Sequence, residues 1–321
     1  MKKILIIRFS SIGDIVLTTP VIRCIKEQQP NTEIHYLTKR VFKPILENNP
    51  YITKIHTIDK DVKEVIKELK LEKFDFVIDL HNNIRSVQTK TALRKKSFSF
   101  KKLNFQKWIL VKFKINKLPA KHIVDRYIQT VKKLGIVNDN KGIDYFIPQK
   151  DEINISALPI SHHNGYIGFV IGAKHYTKQL PVEKIISICK KLNQPIILLG
   201  GKEDIGKANQ IEKAVGSTIY VACGKYNLNQ SASIIKQATK IITHDTGLMH
   251  IASAFKKEII SIWGNTVPAF GFSPYMPHPA SRIVEVNNLS CRPCSKIGHK
   301  KCPKGHFKCM MEIEEKLVVG S

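Results

Sequence analysis

The residues best suited to chemistry lie in a short polar stretch at 243–250, which reads Thr-His-Asp-Thr-Gly-Leu-Met-His. An apolar run enters this stretch, a helical pattern leaves it, and a second apolar run follows at 259–262. The order predicts strand, turn, helix and strand, and ligands of open α/β sheets bind where a parallel strand ends. Helix N-termini at such turns offer N–H groups to phosphate. The Asp245 carboxylate suits sugar or ribose hydroxyls better than phosphate; the alternative is that Asp245 or Thr246 only caps the helix.

A second polar turn follows the first apolar run of the chain. Residues 3–7 are β-branched or leucine, apart from Lys3, which is typical of a strand buried on both faces. Ser10, Ser11 and Gly13 then form a small-residue turn that lacks the dinucleotide fingerprint G-x-G-x-x-G. Asp14 begins a helical pattern that extends to about residue 28. Asp14 is therefore expected at the carboxyl edge of a sheet, either as a reactive acid or as an ordinary first-turn acid.

Alternating strands and helices position these turns. In the first half we predict, in order, strand 33–37, helix 40–48, strand 54–58, helix 61–72 and strand 74–79. The last of these strands also ends in polar groups, at His81 and Asn82. After a polar connection at 137–164 the alternation restarts. The pattern predicts an α/β protein of two doubly wound, Rossmann-like domains, residues 1–155 and 156–321, that face a central cleft.

The charge balance is strongly basic. The 321 residues include 52 Lys and Arg but only 26 Asp and Glu, a formal net charge of +26. Such a field favours anionic partners, which include nucleic acid, phosphorylated substrates and an anionic membrane surface. The other interpretation is that the lysines are solvated faces of a lysine-rich protein. Because the cations are dispersed and no known nucleic-acid-binding motif is present, we expect no specific nucleic-acid partner, and a basic nucleic-acid-binding protein remains the alternative of another class.

One basic stretch, residues 94–117, is interleaved with aromatic side chains. Basic residues with aromatics can bind nucleic acid, or they can form an amphipathic surface that contacts a membrane or an anionic lipid. An ordinary helix with lysines outside and apolar residues inside is the third interpretation, and the pattern favours it. The aromatic residues of this stretch are Phe98, Phe100, Phe105, Trp108 and Phe113.

The seven cysteines fall into two groups. Cys24, Cys189 and Cys223 lie in apolar periodic contexts that are typical of core positions. The other four are close to the C-terminus. They begin with a Cys-x-x-Cys motif, and further Cys and His residues follow it, a pattern similar to a structural zinc site. Structural thiols, either reduced or disulfide-linked, are the alternative that we favour over zinc. These four are Cys291, Cys294, Cys302 and Cys309.

The chain has no run of 18 uninterrupted apolar residues, so no transmembrane helix is predicted. The apolar run at the start is short, is broken by Arg8 and precedes no small-residue cleavage site, which favours a buried strand over a signal peptide. We therefore expect a cytoplasmic protein, with a peripheral position at the inner face of the cytoplasmic membrane as a further expectation.

Four stretches carry a resemblance to a known family. They are residues 7–14 followed by Pro20, Gly172-Ala173 leading to Lys178-x-x-Pro181, residues 199–204, and residues 244–252. In this order they resemble glycosyltransferase family 9, the lipopolysaccharide heptosyltransferase group, over nearly the whole chain. The resemblance implies a GT-B fold, in which two Rossmann-like domains hold the active site between them. It also implies inverting transfer of a sugar, commonly heptose from ADP-heptose, without a metal or another cofactor.

The resemblance also implies roles for two reactive residues. Asp14 matches the base proposed for the family, which takes the proton of the acceptor hydroxyl while the diphosphate leaves from the opposite face of the sugar. Lys178 matches the lysine that contacts phosphate, where a cation stabilises the charge of the leaving diphosphate. Ser10, Ser11 and Gly13 would then form the acceptor or phosphate loop beside Asp14.

The donor is expected on the C-terminal domain. Thr246 and Gly247 would offer N–H groups to the diphosphate, and Asp245 would accept from sugar hydroxyls. Further donor contacts are expected from a second cation, from an acid that binds the ribose and from a histidine that lies one turn after Thr246. The alternative for this histidine is that it is an ordinary helix residue. These three are Lys174, Glu203 and His250.

Departures from the family pattern leave the donor sugar open. Better-known heptosyltransferases often have hydroxyl residues near the positions of Ala173 and Lys174, and a Trp where Leu180 stands. The expected partners are a nucleotide sugar such as ADP-heptose and a phosphorylated, lipid-linked inner-core acceptor. A family member that uses another nucleotide sugar or acceptor is the alternative.

Overall fold

Parallel strands form the centre of the first half of the chain in the computed structural model, which describes residues 2–320. They occur in the order β3-β2-β1-β4-β5. Their apolar side chains are buried because helices cover a parallel sheet on both faces. The strands are β1 (Lys2–Ile7), β2 (Thr32–Lys39), β3 (Lys54–Ile58), β4 (Phe76–Asp79) and β5 (Lys96–Ser99).

The helices of the first half differ from the predictions at two places. The predicted helix from Asp14 to residue 28 is two helices, α1 (Ile12–Val16) and α2 (Thr19–Gln28). Pro20 is the second residue of α2, a first-turn position where its missing N–H breaks no helical hydrogen bond. The predicted helix 40–48 is a 3₁₀ helix, Arg40–Ile45, that contains Pro44. The helices that follow are α3 (Lys63–Leu71), α4 (Ile84–Leu93), α5 (Asn104–Phe113) and α6 (Ile123–Val131).

A second parallel sheet forms the centre of the other half, in the order β11-β10-β9-β6-β7-β8. Its strands are β6 (Ile167–Val170), β7 (Ile196–Leu199), β8 (Ile219–Val221), β9 (Lys240–His244), β10 (Glu258–Trp263) and β11 (Arg282–Glu285). Its helices are α7 (Val182–Leu192), α8 (Ile205–Val215), α9 (Leu228–Gln237), α10 (Gly247–Ala254), α11 (Lys308–Met311) and α12 (Glu315–Val319). The predicted pair of Rossmann-like α/β domains is thus confirmed.

The chain divides at a different place from the predicted boundary at 155/156. One unit is Met1–Lys102 with Lys121–Phe146, and the other is Leu103–Ala120 with Ile147–Ser321. The division falls earlier because residues 139–144 are held by α2, whose Arg23 donates to Asp139 at 2.7 Å. Asp151, by contrast, accepts from Asn227 at 3.0 Å, at the start of α9.

The segment that contains α5 belongs to the second unit although it lies between β5 and α6 in sequence. Lys107 places its ammonium 4.9 Å from the ring centroid of Phe272, and Lys114 donates to the carbonyl of Pro293 at 2.7 Å. Among residues 2–320, no helix combines the length and the apolar character needed to cross a bilayer.

Candidate active site

The first polar turn holds Asp14 firmly. Asp14 is the third residue of α1, and its Oδ2 accepts from the N–H of Ser11 at 3.2 Å and from the hydroxyl of Ser11 at 2.7 Å. Its Oδ1 lies 2.6 Å from a guanidinium nitrogen of Arg8. The side chain keeps about a fifth of its surface exposed, so a substrate hydroxyl can still approach it. The carboxylate is therefore preorganised and accessible, as a general base must be.

Arg8 is a site residue to which the sequence assigned no role. Its side chain is buried and donates to the carbonyl of Ser10 at 2.7 Å, the carbonyl of Leu80 at 2.6 Å and the hydroxyl of Tyr127 at 2.9 Å. Burial, the largest single cause, acts to lower the pKa of Arg8, but the charge and hydrogen bond of Asp14 together with the hydroxyls of Tyr127 and Tyr36 outweigh it, and the pKa is raised. Arg8 is thus a fixed cation that ties Asp14 to the ends of β1 and β4. Its position directly after β1 was the signal that could have identified it.

His81, which follows β4, and Lys102, which follows β5, add two more groups to this turn. His81 accepts through Nδ1 from the N–H of Phe9 at 3.3 Å, and burial followed by the Arg8 charge lowers its pKa to about 4. Burial and the Arg8 charge also lower the pKa of Lys102. His81 is therefore neutral near pH 7. The turn combines one carboxylate, two cations and a neutral imidazole, which suits a phosphorylated, hydroxyl-bearing ligand.

The second unit gathers its polar loops at the carboxyl ends of β10, β9, β6 and β7, which are adjacent in the sheet. At their centre the Nζ of Lys178 lies 2.5 Å from Oδ2 of Asp245. The hydroxyl of Thr266, which follows β10, donates to the same oxygen at 2.9 Å. The sequence predicted Lys178 and Asp245 as separate ligands of the donor, whereas the structure pairs them. Thr266 was not predicted, although polar residues directly after a strand were its signal.

The N-terminus of α10 adjoins this pair. Thr246 is the N-cap residue in extended conformation, and its side chain makes no capping hydrogen bond within the described chain. Its hydroxyl lies 3.4 Å from that of Thr243. Thr246 therefore occupies the cap position without a side-chain capping bond, and Oδ2 of Asp245 is bound to Lys178 and Thr266. The first N–H groups of α10, from Gly247 onward, suit a phosphate oxygen.

Three other predicted donor contacts differ in exposure. His250, in the second turn of α10, is buried. Lys174 and Glu203 are exposed. The acid next to Glu203, Asp204, is instead buried and accepts from the N–H of Gly201 at 3.0 Å. Of the two neighbouring acids, Asp204 therefore stabilises the loop after β7 and Glu203 faces solvent, where it can bind a ribose.

His244 joins two of these loops. It is fully buried at the end of β9, and its Nε2 accepts from the N–H of Leu180 at 3.0 Å. Since Nε2 accepts, the proton of the neutral ring lies on Nδ1. Burial, and then the Lys207 charge, lower the pKa of His244 to about 3. The neutral imidazole thus holds the loop that carries Lys178 against the strand that carries Asp245.

This buried histidine predicts an acid-sensitive fold. An unfolded histidine has a pKa near 6.5, so between that value and about 3 the unfolded chain binds more protons than the folded one. The contribution of His244 to the free energy of unfolding is complete above the unfolded pKa. This contribution is lost as the pH falls, by up to about 1.4 kcal/mol per pH unit. In a His244→Gln variant the amide oxygen can still accept from the N–H of Leu180. Between about pH 7.5 and pH 5.5 we expect the free energy of unfolding of this variant to fall by about 1 kcal/mol less than that of the wild type. Urea unfolding measures this difference, and equal losses in both proteins would contradict the assignment.

The cysteine-rich tail contacts the same loops. Arg292 donates to the carbonyl of Gly264 and, at 2.9 Å, to the carbonyl of Thr266, and it pairs with Glu285 at 2.5 Å. His299 donates its N–H to the hydroxyl of Thr177 at 2.9 Å. The tail therefore fixes the loops on both sides of the Lys178–Asp245 pair.

The four tail cysteines are free thiols in the structure. Burial raises the pKa of Cys309 to about 12 and also raises the pKa of Cys294. Zinc at Cys291, Cys294, Cys302 and Cys309 stays the less favoured alternative to structural thiols. Metal analysis of the purified chain tests it, and less than about one zinc per several chains would exclude it.

Within the described residues, one set of side chains has its potential ligand atoms within 4.8 Å of one another: His35, His56 and Glu72. It lies toward the amino ends of β2 and β3, away from Asp14. Glu72 is bound by Lys54 at 2.7 Å and by Lys3 at 3.0 Å, and these contacts, with Lys54 the larger cause, lower its pKa to about 2. Two ammonium groups therefore already neutralise the carboxylate, and we assign the cluster to stabilisation of the sheet edge.

Known proteins are similar to this chain over most of its length. A family model described as glycosyltransferase family 9 (heptosyltransferase) matches residues 62–305, about three quarters of the chain. The lipooligosaccharide heptosyltransferase 2 of Haemophilus ducreyi is 25% identical, covering 99% of this chain and 97% of that protein. The lipopolysaccharide heptosyltransferase 1 of Campylobacter coli is 24% identical, covering 82% and 84%.

Solved structures show the same fold. A family 9 glycosyltransferase from Veillonella parvula superposes with a TM-score of 0.81 at 23% identity, covering 99% of this chain and 95% of that one. ADP-heptose lps heptosyltransferase II of E. coli superposes with a TM-score of 0.75 at 19% identity, covering 99% and 96%. The prediction of a fold of the GT-B class, built from two Rossmann-like domains, is confirmed. By its family match over most of its length, the chain belongs to glycosyltransferase family 9 and is a glycosyltransferase.

Proposed function

We propose that the chain transfers heptose from ADP-heptose to a lipopolysaccharide inner-core acceptor of the lipid A/Kdo type. The observation that carries the proposal is the Lys178–Asp245 pair beside the N-terminus of α10. A cation and helix N–H groups suit a diphosphate, and a carboxylate next to them suits sugar hydroxyls. The proposal is also supported by relatives that bear heptosyltransferase names and by a structural neighbour whose name includes ADP-heptose.

In the proposed reaction the acceptor hydroxyl attacks the anomeric carbon of the donor and inverts it. Asp14 takes the proton of that hydroxyl, a new glycosidic bond forms, and the bond to the phosphate oxygen breaks. The leaving diphosphate gains negative charge, which Lys178 and the N–H groups of α10 stabilise without a metal. We assign acceptor binding to the N-terminal unit, with Ser10, Ser11 and Gly13, and donor binding to the C-terminal unit.

The other donor roles follow from exposure and chemistry. Glu203 faces solvent and is proposed to hydrogen-bond the ribose, while Lys174 is a second cation for phosphate. His250 is buried, so we propose that it supports α10 beneath Thr246 rather than contacts the donor through an exposed edge. We further propose a cytoplasmic enzyme that acts at the inner face of the cytoplasmic membrane, where its net charge of +26 favours phosphorylated lipid.

A donor and acceptor screen tests the function. The purified chain is incubated with Kdo-bearing lipid A and, in separate reactions, ADP-heptose, ADP-glucose or UDP-N-acetylglucosamine. We expect a mass gain of one heptose with ADP-heptose only, with the opposite anomeric configuration in the product and no loss of rate in a metal chelator. Transfer from another nucleotide sugar alone would overturn the donor, and a rate lost to the chelator and restored by a metal would overturn the metal-independent step.

A further inference from the structure

One long segment of the chain is basic and contains no acidic residue. Residues 80–124 contain twelve Lys and Arg and no Asp or Glu. Helix α5 lies inside this segment. Its own stretch, residues 103–120, includes four lysines and no acid. No acidic side chain of this stretch can therefore neutralise its lysines, and an anionic surface is attracted to it.

Helix α5 presents aromatic side chains to solvent. Phe105, Trp108 and Phe113, which we name the aromatic face, have exposed fractions of 67%, 46% and 55%. Phe105 and Trp108 stack with ring centroids 6.0 Å apart, and Trp108 meets Phe113 edge-on at 5.4 Å. The rings thus form one contiguous patch. Exposed patches of this kind mark interaction surfaces rather than scattered surface residues.

The four lysines of residues 103–120 divide into two sets. Lys107 and Lys114 contact the second unit, through the Phe272 ring and the Pro293 carbonyl. Lys112 and Lys117 are exposed. The contacts of Lys107 and Lys114 anchor the helix, and Leu110 is buried. The aromatic face is therefore preorganised on an anchored helix, with exposed cations next to it.

We propose that the aromatic face of α5 docks on the surface of a bilayer that contains anionic phospholipid. Aromatic rings concentrate at the interfacial depth of a membrane, and an amphipathic helix that carries lysines lies in that plane. The exposed Lys112 and Lys117 then meet lipid phosphates. The inference rests on the proposed function only in that a lipid-linked acceptor gives the enzyme a reason to be there. It specifies a surface that the catalytic residues do not use.

Vesicle binding by the full chain tests the proposal without any sugar nucleotide or acceptor. We expect binding to vesicles of phosphatidylethanolamine with phosphatidylglycerol and weak binding to phosphatidylcholine alone. Replacing the aromatic face by serine (Phe105→Ser, Trp108→Ser and Phe113→Ser together) is expected to lower the partition coefficient about 100-fold. Lys112→Gln and Lys117→Gln should each lower it about fivefold. The matched control is the triple variant Leu71→Ser, Ile84→Ser and Ile160→Ser, at three apolar residues that are more exposed but lie outside α5. This control should bind vesicles as the wild type does.

Tryptophan fluorescence locates the contact. The chain has two tryptophans, and Trp263 is buried whereas Trp108 lies on the aromatic face. Brominated phosphatidylglycerol should quench the wild type, while Trp108→Phe, which keeps an aromatic ring, should bind vesicles but lose the quenching. Unchanged binding by the triple-serine variant, or quenching that persists in Trp108→Phe, would overturn the docking surface. So would preferential binding of single-stranded nucleic acid that depends on the same three rings. Failure of heptosyl transfer with intact vesicle binding would overturn the proposed function alone.

Discussion

An Asp14→Asn variant is expected to lose sugar transfer by about 10²–10⁴-fold, the usual contribution of a positioned general base. Asparagine has nearly the same shape and can still accept from Ser11, but its amide cannot take a proton from the acceptor hydroxyl. Donor binding should be unchanged, because the predicted donor residues belong to the other unit. Steady-state transfer with calorimetry of donor binding separates the two effects.

The loss of charge at Asp14 also removes the ionic partner of Arg8, which is buried. Breaking a buried pair destabilises a protein by about 3–5 kcal/mol, so the melting temperature is measured alongside activity. Asp59→Asn is the control, because Asp59 forms an exposed ion pair with Arg40 in the same unit. Full transfer by a folded Asp14→Asn enzyme would show that another group takes the proton.

A Lys178→Ala variant is expected to lower kcat by about 10²–10³-fold, as removal of one preorganised donor to a developing negative charge does. It should also weaken donor binding, because the Asp245 carboxylate, 2.5 Å from the ammonium in the wild type, is left facing the diphosphate. Rates and donor affinities of the variant and the wild type measure both losses. Lys190→Ala, an exposed lysine of α7, serves as the control.

The pairing makes a further test possible. Adding Asp245→Asn to Lys178→Ala should restore part of the donor affinity, since the uncompensated carboxylate is gone, but not kcat, since the cation is still missing. A double-mutant cycle measures this coupling, which is typically about 0.5–3 kcal/mol for residues in contact. Additive losses of donor affinity would mean that the two side chains act independently.

Local patterns were sufficient to predict much of the fold. Apolar runs bounded by small and polar residues marked the strands, and helical periodicity marked most helices, because both signals depend on residues close in sequence. The same logic located Asp14 and the residues 243–250 at strand ends. It failed at 40–48, where a 3₁₀ helix that contains Pro44 forms, and after Asp14, where a second helix starts at Thr19 with Pro20 in its first turn.

The sequence by itself determined the α/β class, the two-domain organisation, the basic charge and the residue types at the turns. Only the tertiary structure decided which of those turns meet. Lys178 and Asp245 are 67 residues apart, and Arg8 and Tyr127 are 119 apart. Their contacts depend on the order β10-β9-β6-β7 and on β1 lying between β2 and β4. The native strand order is the one that gives the whole core the lowest free energy. A short stretch of sequence therefore does not determine it. The same holds for α5, whose anchoring to the second unit exposes its aromatic face.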